Sequence, residues 1–280
     1  MKIGIVYDLI RWEEKDLIRA VRELGYEPVL LRVTREVFWL DREDGYDLDL
    51  AFQRCVSFYR AIASTIILEE KGVPVVNSSR VLMGCEDKLY TTARLARRGI
   101  PVPRTAIAFS REACIEAAEK LGYPLVVKPI YGSWGRMIAR ALDRESLEEI
   151  LEFRENMQSP HFKVHYLQEY VEKPGRDIRA CYIWGDVPAA IYRVSDRWKT
   201  NTALGGRAVP ADLEEEQLEL VRRAGDEIGG GVLGVDLIER GSESLVLEIN
   251  GIPQYKNVAR VTGVDLSRMI VEKTVEQFKR

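Results

Sequence analysis

The chain has almost no histidine. His161 and His165 are the only two in 280 residues, which nearly excludes histidine-based catalytic triads and imidazole-rich metal sites. The four cysteines, Cys55, Cys85, Cys114 and Cys181, are scattered and form no CxxC pair. That removes the common zinc spacings and a disulfide framework, and it points to a reducing cytoplasm. No stretch reaches the apolar length of a membrane helix, about 18 residues or more. The opening MKIGIVYDLIR breaks its apolar run at Asp8 and reads as a strand rather than a leader. A surplus of one charge is missing too: 41 basic side chains stand against 44 acidic ones, for a net charge of -3. A general nucleic-acid binder needs a basic excess, so neither nucleic acid nor membrane is an expected partner. Internal repeats and low-complexity tracts are also absent.

What is present is an ordinary globular composition, 46% hydrophobic and 30% charged. The length allows one large or two to three small domains with proper cores. The first third alternates strands and helices. Lys2 to Tyr7, Pro28 to Val33, Leu48 to Phe52 and Val73 to Val76 read as strands; Glu13 to Leu24 and Ala61 to Glu70 read as helices. This predicts a small parallel α/β unit ending near residue 80. Beyond it, the pattern predicts helices over Glu86 to Arg97, from a Ser110 cap to Leu121, Arg144 to Asn156 and Leu213 to Ile228. Strands are expected over Pro124 to Pro129, Tyr166 to Val171, Arg179 to Ile183 and Ala189 to Val194. A hairpin is expected from Gly234 to Glu239 and Ser244 to Asn250.

That hairpin carries the first chemistry. Alternation puts Leu245, Leu247 and Ile249 on one face and Glu248 and Asn250 on the other. With a turn centred on Ser242, Asp236 falls opposite Glu248. Asp236, Glu248 and Asn250 then offer three hard oxygen ligands for Mg²⁺ beside substrate phosphates; a solvated hairpin face is the blander alternative. Lys128 ends an apolar strand, where a lysine needs an anionic partner. The loop after it, Gly132-Ser133-Trp134-Gly135-Arg136, can cover phosphate oxygens with backbone N–H groups, although it lacks a Walker A ending. Lys88 starts a helix nearby in sequence. Gln168-Glu169-Tyr170-Val171-Glu172 ends a strand before a Pro-Gly turn and can offer main-chain groups to an adenine edge, or be an ordinary acidic strand end. Gly229 to Gly234 matches GxGxxG, but it follows a helix and opens a strand, the reverse of a dinucleotide fingerprint. His161 and His165 read as packing or exposed residues.

In order, Lys88, VVKP with Lys128, GSWGR, QEYVE, GRDIR from Gly175, YRVSDRWKTNTALGG from Tyr192, GVD with Asp236, and LEIN resemble the ATP-grasp carboxylate–amine ligases. The chain is similar, over its whole length, to the branch that holds the ribosomal-protein glutamate ligases and the ligases of lysine biosynthesis. The resemblance implies an α/β ATP-grasp fold. An N-terminal pre-ATP-grasp, Rossmann-like α/β domain would occupy residues 1–84. The ATP-grasp domain would occupy 85–280, with a central lid subdomain over about 122–190 and a C-terminal subdomain over about 191–280.

The resemblance also implies roles. ATP and two Mg²⁺ are the expected cofactors, the ions held by Asp236, Glu248 and Asn250. Lys88 and Lys128 would contact the phosphates under a lid formed by Gly132, Ser133, Trp134, Gly135 and Arg136. Glu169 and Val171, with Gln168 and Tyr170 in the same strand, would hold the adenine, and Glu172 or Asp177 the ribose. Arg193, Asn201, Thr202 and Ala203 fall where the family contacts nucleotide, acyl phosphate and amino acid, with Arg193 and Lys128 the catalytic candidates. Gly251, Ile252, Pro253, Gln254, Tyr255 and Lys256 would line the substrate side-chain pocket; Arg54 and Ser57 are weaker substrate candidates from the N-terminal domain. The segment from Gly251 resembles ligases that attach glutamate or 2-aminoadipate to the C-terminal glutamate of the small acidic carrier protein LysW. Gly251-Ile252 fits neither the Asn-Thr or Asn-His start of aminoadipate-specific relatives nor the Gly-Phe of glutamate-specific ones, which implies dual use. The implied assembly is a homodimer or homotetramer, and Arg94, Arg97 and Arg98 offer a patch for the carrier. A ligase acting on a ribosomal protein or peptide tail, and a non-catalytic ATP-binding regulator, are the alternatives.

Overall fold

A computed structural model describes residues 1–41, 45–132, 135–200 and 205–279. They form a mixed α/β structure around three sheets. The first sheet is parallel, in the order β2 (Glu27–Arg32), β1 (Lys2–Tyr7), β3 (Leu50–Gln53), β4 (Val75–Val76). Its crossovers are α1 (Trp12–Glu23) and α2 (Phe58–Glu70), as alternating strand and helix patterns require. The second sheet is antiparallel, β5 (Thr105–Ala108), β8 (His165–Glu169), β6 (Leu125–Lys128), β7 (Ala139–Ala141), with α5 (Arg111–Leu121) and α6 (Arg144–Glu155) packed on it. The third is antiparallel, β11 (Arg207–Pro210), β10 (Asp186–Val194), β9 (Arg176–Ile183), β12 (Val232–Arg240), β13 (Glu243–Asn250).

The third sheet is covered on both faces. Tyr182, Leu233 and Val235 pack against α7 (Glu215–Ile228) through Val221 and Ala224. Cys181, Ile183, Ile191 and Val232 face the other way. They share one apolar core with Ile3, Ile5, Leu17 and Val21 of the N-terminal unit and with Ile270, Val271 and Val275 of α9 (Leu266–Phe278). The helix α9 and the short α8 (Lys256–Thr262) lie outside the sequence-based expectations, as do β7 and β11.

One expected helix has an unexpected neighbour. The stretch read as Glu86 to Arg97 is α4 (Lys88–Arg97), and a helix outside the expectations, α3 (Ser79–Glu86), precedes it across Asp87, which is extended. Asp87 caps α4 by accepting from the Tyr90 N–H at 3.0 Å, the arrangement an N-cap aspartate favours. The break turns Lys88 toward residues 129–132, where its N–H donates to the Ile130 carbonyl at 3.0 Å.

Candidate active site

The hairpin β12–β13 supplies the acidic side of a cleft where the three sheets meet. Its turn is Gly241-Ser242, with Arg240 paired to Glu243. A regular ladder from that turn would set Asp236 against Leu247. Instead the register shifts after Leu237, which pairs with Val246, and Asp236 comes to lie opposite Glu248. The expected pairing therefore exists because of a bulge that adds Leu247 to one strand. The bulge also corrects the expected faces. Leu245 and Leu247 pack with Val171 and Ile238 on the cleft side, while Ile249 joins Val246 in the core under α7. Leu247 and Glu248, adjacent in sequence, both line the cleft.

Basic groups face them. Lys128 ends β6, buried, with Nζ donating to Gln168 Oε1 at 2.5 Å. Its expected anionic partner is a neutral amide. Burial pushes the Lys128 amine down to about 8; Glu248 opposes that shift, and Lys88 and Lys173 add to it. Lys88 donates to the Gly132 carbonyl and lies 3.5 Å from Glu248 Oε1. Lys88, Lys128, Lys173, Glu248 and Leu247 share a cavity of about 100 Å³ whose far walls are Val126, Tyr170, Val171 and Trp198. The lining of this slot mixes these apolar side chains with amines and carboxylates.

Beside the cleft is a buried ion-pair lattice. Arg179 grips Asp236 with two bonds of 2.7 Å, Nε to Oδ1 and Nη2 to Oδ2. Arg193 donates Nη2 to the same Oδ2 at 2.9 Å and Nε to Asp177 Oδ1 at 2.6 Å. Burial alone would raise the Asp236 carboxyl, but Arg179 and then Arg193 outweigh it and hold it below the usual carboxylate range. The other Asp177 oxygen accepts from the Thr200 hydroxyl, with Lys173 at 3.6 Å.

These contacts revise several expected roles. Both Asp236 oxygens accept from guanidinium groups. Asp177 accepts from Arg193 and Thr200 and lines the slot, while Glu172 is exposed. The Glu169 carboxylate accepts from the Arg104 N–H at 2.9 Å and Arg240 Nη1 at 2.8 Å, and its own N–H donates to the Arg104 carbonyl. Tyr255 is a core residue, 1% exposed, with its hydroxyl on Ser267, because the chain turns inward there to pack α8 and α9. Pro253 and Arg54 form a strut: buried Arg54 donates Nη2 to the Pro253 carbonyl at 3.0 Å and Nε to Glu14 at 3.3 Å. Ser57 starts α2 with its N–H on Asp8 Oδ2 at 3.1 Å; Cys55, Val56 and Phe58, not Ser57, reach the chamber wall.

Gly251, Ile252 and Gln254 do line that chamber, about 160 Å³ in volume, together with Lys88, Arg193, Glu248 and Asn250. Lys256 lies exposed in a neighbouring pocket. Gly132 borders the chamber and Gly135 the slot, while Arg136 faces a separate groove. Ser133, Trp134, Asn201, Thr202 and Ala203 lie outside the described residues. In the expected patch, Arg94 and Arg98 share one carboxylate, Glu227, at 2.7 and 3.1 Å. His165 is buried, and burial lowers its imidazole to about 4; His161 stacks on Phe162.

Comparison with known proteins decides the family. Residues 85–274 match the RimK-like ATP-grasp domain, and residues 3–83 match the LysX preATP-grasp domain. The chain belongs to the RimK-like ATP-grasp family. It is 42% identical to the alpha-aminoadipate–LysW ligase LysX of Sulfurisphaera tokodaii, and 34% identical to the glutamate–LysW ligase ArgX of the same organism, with 100% of each chain covered in both cases. A RimK domain ATP-grasp protein from Sphaerobacter thermophilus shares the fold, with a TM-score of 0.79 at 22% identity over 97% of this chain and 98% of that one.

The RimK-like site fits the groups its family uses. Buried Lys128 has no carboxylate within ion-pair distance among the described residues, and an anion in the slot would supply one. Glu248 is partly exposed, and Asn250 spends only Nδ2, on the Gly234 carbonyl at 3.3 Å. Their free oxygens suit Mg²⁺, which commonly takes one or two protein ligands plus phosphates. Among the described residues no group of three or more His, Cys, Asp or Glu forms a metal site on its own. Residues that sequence reasoning passed over include Arg11 and Lys173. Asn77 is another: it donates Nδ2 to the Val232 and Gly251 carbonyls, both at 2.6 Å, and accepts the Val232 N–H at 2.8 Å. No helix among the described residues is long and apolar enough to cross a membrane.

Proposed function

We propose that the chain is an ATP-dependent ligase that joins the α-amine of 2-aminoadipate or glutamate to the C-terminal glutamate side chain of a LysW-type carrier protein, in lysine and arginine biosynthesis. Its full-length similarity to LysX and ArgX supports the substrates. The observation that carries the chemistry is the cleft itself, where Lys88, Lys128 and Glu248 meet the paired arginines Arg179 and Arg193. Lys88 and Lys128 neutralise the nucleotide phosphates, and the slot between Val126, Val171 and Leu247 takes the base. Glu248 and Asn250 would hold Mg²⁺, which would supply charge screening for the transferring phosphoryl group. Arg193, anchored on two carboxylates, keeps a fixed positive charge where the carrier's acyl phosphate forms. Amine attack on that acyl carbon then expels phosphate. Preorganised charge does the work here, with no histidine or cysteine in the chamber beyond buried Cys55 and Cys85.

The protein acts in the cytoplasm, as four buried free cysteines suit, and as a homodimer or homotetramer, which light scattering measures. The deciding test mixes protein, Mg²⁺-ATP, purified carrier and either amino acid, then reads ADP and the carrier's intact mass. A gain of one amino-acid residue with ADP release upholds the proposal. ADP release only with another protein tail moves the acceptor, and no ADP with any acceptor leaves a nucleotide-binding regulator.

A further inference from the structure

A second pocket, about 220 Å³, adjoins the reaction chamber. Arg11, Arg179, Arg193 and Gln254 line both spaces and so form the wall between them; Lys256 stands at the outer end. The pocket has room for roughly seven waters at about 30 Å³ each, enough for the side chain of glutamate or of its homologue longer by one methylene.

The wall is unusually cationic, and its cations are only partly used. Arg11 spends Nε and Nη2 on Glu14, at 3.2 and 2.7 Å, and Nη2 also reaches the Arg54 carbonyl at 3.2 Å. Arg179 and Arg193 likewise spend Nε and Nη2 on Asp236 and Asp177. Among the described residues, Nη1 of none of the three makes a hydrogen bond. Against Arg11, Arg179, Arg193 and Lys256 the pocket sets one carboxylate, Glu13, and that is buried and accepts the Lys256 N–H at 3.2 Å.

Arg11 also breaks a local rule. It sits at the N-cap of α1, where Ser, Thr, Asp or Asn is favoured and where the helix dipole repels a cation. Glu13 and Glu14 in the first turn offset the charge, and Glu14 accepts from the Arg11 N–H, Nε and Nη2, which leaves Nη1 turned to no partner in the helix. Local rules are broken most often at functional or strained sites, and this one is broken at the wall of the reaction chamber.

We infer that Arg11, delivered by the N-terminal parallel sheet, is a ligand for a substrate carboxylate, and that with Arg179 and Lys256 it makes this pocket select amino acids carrying a second carboxylate. The inference rests on the proposed reaction but does not depend on the carrier. Charged donors in a fork arrangement favour a carboxylate over a methyl group, and a site built to bond a polar group rejects an analogue that lacks it.

The test compares wild type, Arg11→Met, Arg11→Lys and Lys256→Met. Each is assayed for ligation and, without carrier, for binding of 2-aminoadipate, glutamate and norleucine to protein loaded with a non-hydrolysable ATP analogue. Arg11→Met should raise KM and Kd for the dicarboxylic amino acids about tenfold to a hundredfold and erase their advantage over norleucine, while KM for ATP holds. Arg11→Lys should restore part of the preference. Lys256 is exposed, so Lys256→Met folds normally and should weaken dicarboxylate binding in the same direction. A proportional loss of kcat for every amino acid with KM unchanged overturns the inference, as does wild-type protein that binds norleucine equally. Ligation unchanged in Arg11→Met upholds the proposed reaction and sinks this inference. Arg11-dependent binding of the dicarboxylates without carrier ligation does the reverse.

Discussion

Lys128 is the residue at which sequence and structure agree for a physical reason. A lysine closing the apolar run Leu125-Val126-Val127 is anomalous in any sequence, and the structure finds its amine buried on a neutral amide. Burial brings that amine to about 8 from an ordinary 10.5, against the pull of Glu248. Below about pH 8 it is charged in both folded and unfolded chains, and folding carries the desolvation cost. Between about 8 and 10.5 the folded chain binds fewer protons, so this group makes the ligand-free protein more stable as pH rises through that window. Nucleotide affinity should move the other way and weaken above about pH 8, where the neutral amine no longer attracts phosphate. Titration calorimetry across pH 7 to 9.5 should show proton uptake on binding at the upper end. Lys128→Met should remove both the uptake and most of the affinity without lowering the melting temperature of the ligand-free protein; a lower melting temperature would mean the lysine is structural. The partners of Arg179, Arg193 and Asp177 are not legible in the same way. They are set by contacts between β9, β10 and β12, and nothing in one strand's sequence says which guanidinium its carboxylate will meet.

At the scale of elements, the period-two pattern is enough to find the β12–β13 hairpin and to put Asp236 opposite Glu248. It misses that a two-residue turn and a bulge together produce that pairing, because an extra residue in a strand leaves no periodic trace. The start of α4 is legible from Asp87, a good cap at the head of the helical pattern. The Asn77 clasp is not, since its three bonds reach Val232 and Gly251 across the fold. Asn77→Ala would strand three backbone groups and should cost about 2–4 kcal/mol in urea unfolding. Because Gly251 lines the chamber, the amino-acid KM should also rise. Gly225→Ala offers a contrast on the far face of the sheet. A Cβ there would lie 2.5 Å from the Tyr182 ring, so α7 must shift, at a cost of about 1–3 kcal/mol. The KM values should stay at wild-type level; a rise in the nucleotide KM would show that α7 and the cleft are coupled.

At the scale of the molecule, the parallel unit predicted for the first third looks separate in sequence but is not separate in its packing. Its strand β1 and helix α1 share one core with β9, β10, β12 and α9. The α/β alternation reports which elements form and says nothing about what their outer faces touch. The central sheet is the independent body. Its core of Ala108, Cys114, Ala118, Leu125, Val127, Ala141, Leu147, Leu151 and Leu167 draws only on its own strands and on α5 and α6. Polar ties join it to the rest: Lys199 Nζ to the Gly135 and Ile138 carbonyls, at 3.1 and 2.7 Å, and Arg240 to Glu169 at 2.8 Å. Val171, Ile238 and Leu245 add a small apolar seal. Interfaces of that kind permit relative motion, and the cleft's charges are divided across this one, with Lys128 on the central sheet and Lys88 and Glu248 on the larger body. A nucleotide contacting both lysines should therefore draw the two bodies together. Hydrogen exchange with Mg²⁺ and a non-hydrolysable ATP analogue should slow in residues 126–132 and 167–171, and X-ray scattering should show a smaller radius of gyration. Residues 1–83 should gain no separate protection, because they already belong to the larger body. The same packing predicts that a fragment beginning at residue 84 exposes Ile183, Ile191 and Val232 and aggregates, even though it holds all of residues 85–274, which match the ATP-grasp domain. A soluble fragment with a cooperative urea transition would show that the N-terminal unit docks on a finished fold rather than completing its core.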